Sequence, residues 1–112
     1  MDLATTPYPD MMIITVNAER IDAAAAIAFK DAMRAAVANG PARVVLDLSH
    51  VTFVDSSGLG AIVAAMKHLE AGRRLDLAGL TPDVAKVFRL TRMDTIFTIH
   101  PDLDRLIPRA TG

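Results

Sequence analysis

Met11-Met12-Ile13-Ile14-Thr15-Val16 is short, apolar at five of its six positions and rich in β-branched side chains, a pattern that suits a buried strand. Arg43 to Leu48, with Val44-Val45-Leu46 at its heart, alternates little and reads as a central strand covered on both faces; Leu75-Asp76-Leu77-Ala78 reads as a third core strand. Between these runs lie segments with helical spacing. Strands that alternate with helices form a mostly parallel sheet, because a parallel neighbour is reached only through a crossover connection.

The helical segments carry their own boundaries. Asp22 is placed to cap an Ala-rich helix from Ala23 to Ala38, with Phe29, Met33 and Val37 four apart on one face and Asn39-Gly40-Pro41 as its stop. After a loop from His50 to Asp55, Leu59, Ile62, Val63, Met66 and Leu69 trace a stripe on a helix from Ser57 to Ala71, with Gly72 ending it. Thr81-Pro82-Asp83 supplies a cap, a proline at the first helical position and an acid in the first turn of a helix reaching Leu90. Asp2 to Thr6 is an edge strand paired with Met11–Val16 across the Pro-containing turn that ends at Asp10. Thr95 to Ile99 is a further β-rich run, Pro101 to Ile107 a short terminal helix ended by Pro108, and residues 109–112 a loose tail. The expected order is ββαβαβαβα, an α/β layered domain with a mostly parallel mixed sheet of about four or five strands and about four helices.

At 112 residues the chain has room for one core, so a single domain over residues 1–112 is expected. Its unbroken apolar runs, such as Ala61 to Met66, fall far short of the roughly 20 residues of a membrane span. Twelve Lys and Arg against thirteen Asp and Glu give a net charge of −1, with neither sign gathered into a run, so neither nucleic acid nor membrane is an expected partner. The absence of cysteine removes disulfides, thiolate nucleophiles and cysteine metal sites together. Met1 to Pro9 has no basic start followed by an apolar core, so it does not read as a secretion signal, and the cytoplasm is the expected location.

Chemistry concentrates in Val51-Thr52-Phe53-Val54-Asp55-Ser56-Ser57-Gly58-Leu59-Gly60, between a core strand and a helix. Ser56 and Ser57 fall at or just before a helix N-terminus, where a hydroxyl can cap the helix, act as a nucleophile or carry a phosphate. With Ser57 as the cap, Ser56 stands outside the first turn and faces solvent. A nucleophile elbow would need glycine two residues before the serine, and no histidine lies close in sequence. Gly58 and Gly60 are followed by no lysine or third spaced glycine, so a phosphate-cradling loop fits poorly; these glycines instead let the helix approach the sheet or a partner closely. His50, His68 and His100 lack metal-ligand spacing. No catalytic residue, cofactor or metal is expected.

Leu46-Asp47-Leu48 followed by Phe53-Val54-Asp55-Ser56-Ser57-Gly58-Leu59-Gly60 resembles the signature of STAS-domain anti-sigma factor antagonists. The likeness continues through Leu77-Ala78-Gly79-Leu80-Thr81-Pro82 and Val84 to Leu90, covering most of the chain. In that family the serine after the Asp is phosphorylated by a partner kinase that is also the anti-sigma factor, and a metal-dependent serine phosphatase removes the phosphate. The resemblance implies that Ser56 is the phosphorylated residue, that Asp55 flanks it and that Asp22 lies close in space. The unmodified form would bind the ATP-using kinase and so free a sigma factor; the phosphorylated form would be released. Ser57, Gly58, Leu59 and Gly60 would support the partner surface. Glu19 stands three residues before Asp22, where many members carry glycine. Two other readings remain: a STAS subunit of a transporter or signalling scaffold with Ser56 as a cap, and a small-ligand or nucleotide site at the same helix start.

Overall fold

The computed structural model describes residues 1–107. Seven strands and three helices follow one another as β1 (Leu3–Pro7), β2 (Met11–Val16), β3 (Arg20–Ile21), α1 (Ala26–Val37), β4 (Arg43–Asp47), β5 (Phe53–Val54), α2 (Ser56–His68), β6 (Arg74–Ala78), α3 (Pro82–Leu90) and β7 (Ile99–His100), with a 3-10 turn at Met93–Thr95. The main sheet has the order β1-β2-β4-β6-β7, antiparallel only between β1 and β2. β3 and β5 form a separate two-stranded parallel pair. The expected mostly parallel mixed sheet is present.

Period-2 side-chain alternation divides the sheet into two unlike faces. Met12, Ile14 and Val16 point to the helix side with Val44, Leu46, Leu75 and Leu77, and there Phe29, Met33 and Val37 of α1, Leu59 and Ile62 of α2, and Val84 and Phe88 of α3 complete the larger core. Met11, Ile13, Val45 and Ala78 form a smaller cluster on the other face, under Tyr8, Leu103, Leu106 and Ile107. Val44, Val45 and Leu46 are therefore fully buried from both sides, as the lack of alternation implied.

The second face also buries Asp76, which is 2% exposed. Its Oδ2 lies 2.8 Å from the Arg74 guanidinium, 3.0 Å from His100 Nε2 and 3.4 Å from the Arg43 guanidinium. A carboxylate withdrawn from water in this way is tolerated because donors on three adjacent strands converge on it.

Several boundaries differ from the sequence reading. α1 begins at Ala26, not Ala23: Asp22 organises a separate turn, its Oδ1 accepting from Ala25 N at 3.2 Å, while Ala23 N is committed elsewhere. α2 spans Ser56–His68, not Ser57 to Ala71. The chain leaves the helix at Leu69 so that Glu70 to Arg73 can turn around Gly72, whose φ is +87°. Thr81 stands at the start of α3 but makes no cap bond; its hydroxyl donates to the Val51 carbonyl at 2.7 Å, tying α3 to the loop before β5. Thr95 to Ile99 is not a strand throughout: Arg92 turns the chain in the left-handed region, φ 61°, and Thr95 Oγ1 donates to its carbonyl at 2.6 Å. Pairing resumes only at Ile99, after Phe97 has packed edge-on against Phe88 at 6.0 Å. Pro101 to Ile107 is a run of turns, since seven residues bounded by prolines are too few to propagate a helix. The described residues thus hold three helices, not four. Pro108 and the expected tail at 109–112 lie outside the described residues.

Leu46 is completely buried on the central strand. Leu46→Ala is expected to lower unfolding stability by about 3 kcal/mol, read as a drop in the urea midpoint at unchanged slope.

Candidate functional site at the start of α2

The loop from Leu48 to Asp55 is set by backbone bonds. Val51 N donates to Leu48 O at 3.0 Å, and Thr52 N and Phe53 N both donate to Glu19 O, at 2.8 and 3.2 Å. Glu19 works here through its main chain, and its φ is not positive, so this position does not require glycine and carries no left-handed strain. The bonds lay β5 beside β3, with Arg20 opposite Phe53 and Ile21 opposite Val54. The Arg20 guanidinium covers the exposed Phe53 ring at 4.0 Å from its centroid and bonds Asp22 Oδ2 at 3.2 Å.

Asp55 is the cap of α2. Its Oδ1 accepts from Gly58 N at 2.9 Å and its Oδ2 from Ala23 N at 3.0 Å. One carboxylate therefore closes the helix and binds it to the turn before α1. The Gly58 N–H foremost, with those of Ala23 and Ser57 and the Arg20 charge, holds this carboxyl below the ordinary Asp value, against the smaller opposing effect of desolvation. The expectation that Ser57 caps the helix is thereby corrected, because a carboxylate reaches the orphan N–H with a full charge and displaces the weaker hydroxyl. Ser56 and Ser57 are the first two helical residues, and both are exposed. Ser56 is inside the first turn, not outside it.

The two glycines differ. A Cβ on Gly58 would lie 1.8 Å from the Ile21 carbonyl oxygen, so the bare backbone there is what lets α2 approach β3. A Cβ on Gly60 would meet nothing within 4 Å, so no close approach in the chain depends on that glycine. Leu59, Gly60, Val63 and Met66 line a shallow apolar groove with Met93 and Ile96, and Ser56 stands at its end. Asp22, Asp55 and Ser56 are brought together, Asp22 through the turn that presents Ala23 N. Sequence reasoning placed Phe53 in the motif without its partner Arg20, and missed Met93 and Ile96. Two-residue strands are too short to show a period, and the 3-10 turn lies far along the chain from the helix it meets. Among the described residues no group of acidic or histidine side chains is arranged to hold a metal ion.

A small α/β domain with a buried mixed sheet and a carboxylate-capped helix presenting serine is the architecture of the STAS domain. The model of that family matches residues 2–106, and the chain belongs to it. A STAS-domain containing protein of Pseudomonas aeruginosa (strain UCBPP-PA14) is 31% identical over 101 residues, which span 88% of this chain and 99% of that protein. The crystal structure of an anti-sigma factor antagonist from Mycobacterium paratuberculosis matches with a TM-score of 0.82 and 28% identity, over 93% of this chain and 88% of that one. A sulfate transporter family protein from Wolinella succinogenes shares the fold, with a TM-score of 0.74 and 15% identity over 89% and 84% of the two chains.

Gly58→Ala is expected to lose about 2 kcal/mol through the clash with the Ile21 backbone. Gly60→Ala, with open space around it, is expected to gain up to about 1 kcal/mol of helix propensity; urea unfolding reads both. For Asp55 the direction follows from its lowered value. Above the ordinary carboxylate range the folded and unfolded chains are both ionised and the cap contributes fully. As pH falls the unfolded chain takes up the proton first, and the contribution disappears through the folded value. The difference in melting temperature between wild type and Asp55→Ala should be largest near neutrality and shrink on acidification below the usual Asp range.

Proposed function

We propose that this chain is an anti-sigma factor antagonist of a partner-switching pathway, controlled by phosphorylation at Ser56. The observation that carries the reading is the exposed Ser56 hydroxyl, presented on the first residue of a helix whose anchor is its neighbour Asp55. Because the cap belongs to Asp55, Ser56 can be modified without withdrawing the bond that starts the helix. Similarity to the mycobacterial antagonist supports the role.

Unphosphorylated, the protein binds a serine kinase that is also the anti-sigma factor, and a sigma factor is released. The apolar groove of Leu59, Gly60, Val63 and Met66 gives the partner a surface to desolvate beside Ser56. Asp22, Asp55, Ser57 and Gly58 hold that surface in place. A phosphate on Ser56 adds about −1.5 to −2 charges next to Asp55. The helix dipole offsets part of the repulsion in the free protein, but burying the new charge in the interface costs several kcal/mol. The kinase then dissociates until a metal-dependent phosphatase restores the serine. In this reading residues 1–112 act as one STAS domain in the cytoplasm, as substrate and binding module without catalysis of their own.

Affinity capture from native extract with wild type, Ser56→Ala and Ser56→Asp as baits tests this. An ATP-binding kinase retained by the first two and lost with the third is the expected result. Equal recovery of one partner by all three baits would sink the switch and favour a constitutive subunit of a transporter or scaffold, a role compatible with the fold shared with the Wolinella protein.

A further inference from the structure

α1 and α2 follow parallel strands and pack side by side, so their C-terminal ends lie together. Between those ends is a tight notch of about 40 Å³, floored by Met33, Val37, Ala64 and Ala65. It opens, across Arg34, Val37 and His68, into a wider cleft of about 210 Å³ that Arg73 and Glu70 also line. Lys30, Arg34 and His68 rim the notch. Glu70 is the single carboxylate lining either space among the described residues.

These cations are not matched inside the protein. Among the described residues no carboxylate lies within 4.0 Å of Lys30, Arg34 or Arg73. Lys30 and Arg34 are one helical turn apart on the same face, an arrangement that is repulsive by itself. Arg34 and His68 stand in last turns, where helix dipoles favour positive charge, but Lys30 lies further back and Arg73 beyond the helix. Arg73 fixes its position by donating from Nε to the Pro41 carbonyl at 3.0 Å, which leaves one terminal guanidinium nitrogen buried with no acceptor. A buried donor without a partner is costly.

We propose that this seam is a second docking surface, which takes an acidic peptide segment of a partner protein with one apolar side chain. The notch holds an aliphatic group and is too small for a lipid tail, while the exposed Lys30 and Arg34 and the positive charge of Arg73 in the adjoining cleft attract flanking carboxylates. At about 1.5 Å per residue, the α2 residues that line this seam, Ala64 to His68, stand about 12 to 18 Å along the helix from Ser56, so a segment centred here leaves the α2 start free. The inference does not depend on phosphorylation of Ser56.

Titration of the ¹⁵N-labelled full chain with the peptide acetyl-Glu-Glu-Asp-Leu-Glu-Glu-Asp-amide, followed by amide and arginine side-chain shifts, tests it. Saturable shifts confined to Lys30, Arg34, His68 and Arg73 and their neighbours are expected. They should weaken by about tenfold or more in Arg34→Glu and in Lys30→Glu, persist in Ser56→Asp, and be absent with lysine in place of every acid. Two variants guard against a folding defect in one, and each is checked by its melting temperature. Shifts that are missing, scattered over all basic residues, or unchanged in the variants overturn the proposal. Inorganic phosphate shifting the same residues with equal affinity also overturns it, since the seam would then be a small-anion site.

Discussion

The Asp55 carboxylate spends its two oxygens on two different parts of the chain, Gly58 N at the start of α2 and Ala23 N in the turn before α1. The rest of the helical layer follows from that. With both oxygens engaged, the start of α2 cannot move away from the β3–β5 pair, and Gly58 is pressed against the Ile21 carbonyl. Glu19 completes the frame from the other side by accepting from Thr52 and Phe53 with its backbone oxygen. A charged acceptor on backbone donors is stronger than a neutral one, and this one sits where the helix dipole adds to the attraction. The exposed serine rests on a scaffold held by main-chain atoms.

The sheet beneath is asymmetric in chemistry. Its helix side is built on the apolar residues of the larger core, while the far side mixes a small apolar cluster with Asp76 and the side-chain donors that surround it. The apolar side can accept helices that pack without directional demands. The polar side is directional, and the contacts from Arg43, Arg74 and His100 fix how β4, β6 and β7 lie against one another.

Much of this was legible in the residues. Met11–Val16 and Pro82–Leu90 have the bounds that their residues imply, the first because an apolar, β-branched run ends sharply at polar and turn residues, the second because Thr81-Pro82-Asp83 marks its start. The helix stop at Asn39 was legible for the same reason, and Asn39 does take the left-handed conformation. What was not legible depends on partners distant in sequence. Asp22 looks like a helix cap until Asp55 takes the N–H beside it, and Thr81 looks like one until its hydroxyl finds Val51. The β-rich residues after Thr95 look like a strand, but Phe97 serves the core against Phe88 and Thr95 closes a turn. At the candidate site the motif located Ser56 and Asp55. It could not assign the cap between a serine and a carboxylate, nor reveal the Arg20–Phe53 stack, because both depend on how close two loops come.

The outer strands of the main sheet are unequal in length and alike in being hard to extend. β1 is flanked by Asp2 on one side and closes with Pro7, with Pro9 just beyond, while β7 is two residues long and is followed at once by Pro101. Proline withholds the N–H that a neighbouring chain would need, and a two-residue edge offers almost no template. Strand addition is therefore a poor route onto this molecule, and a chain arriving from outside is directed to the helical side, where side chains and not main-chain ladders decide which visitor stays.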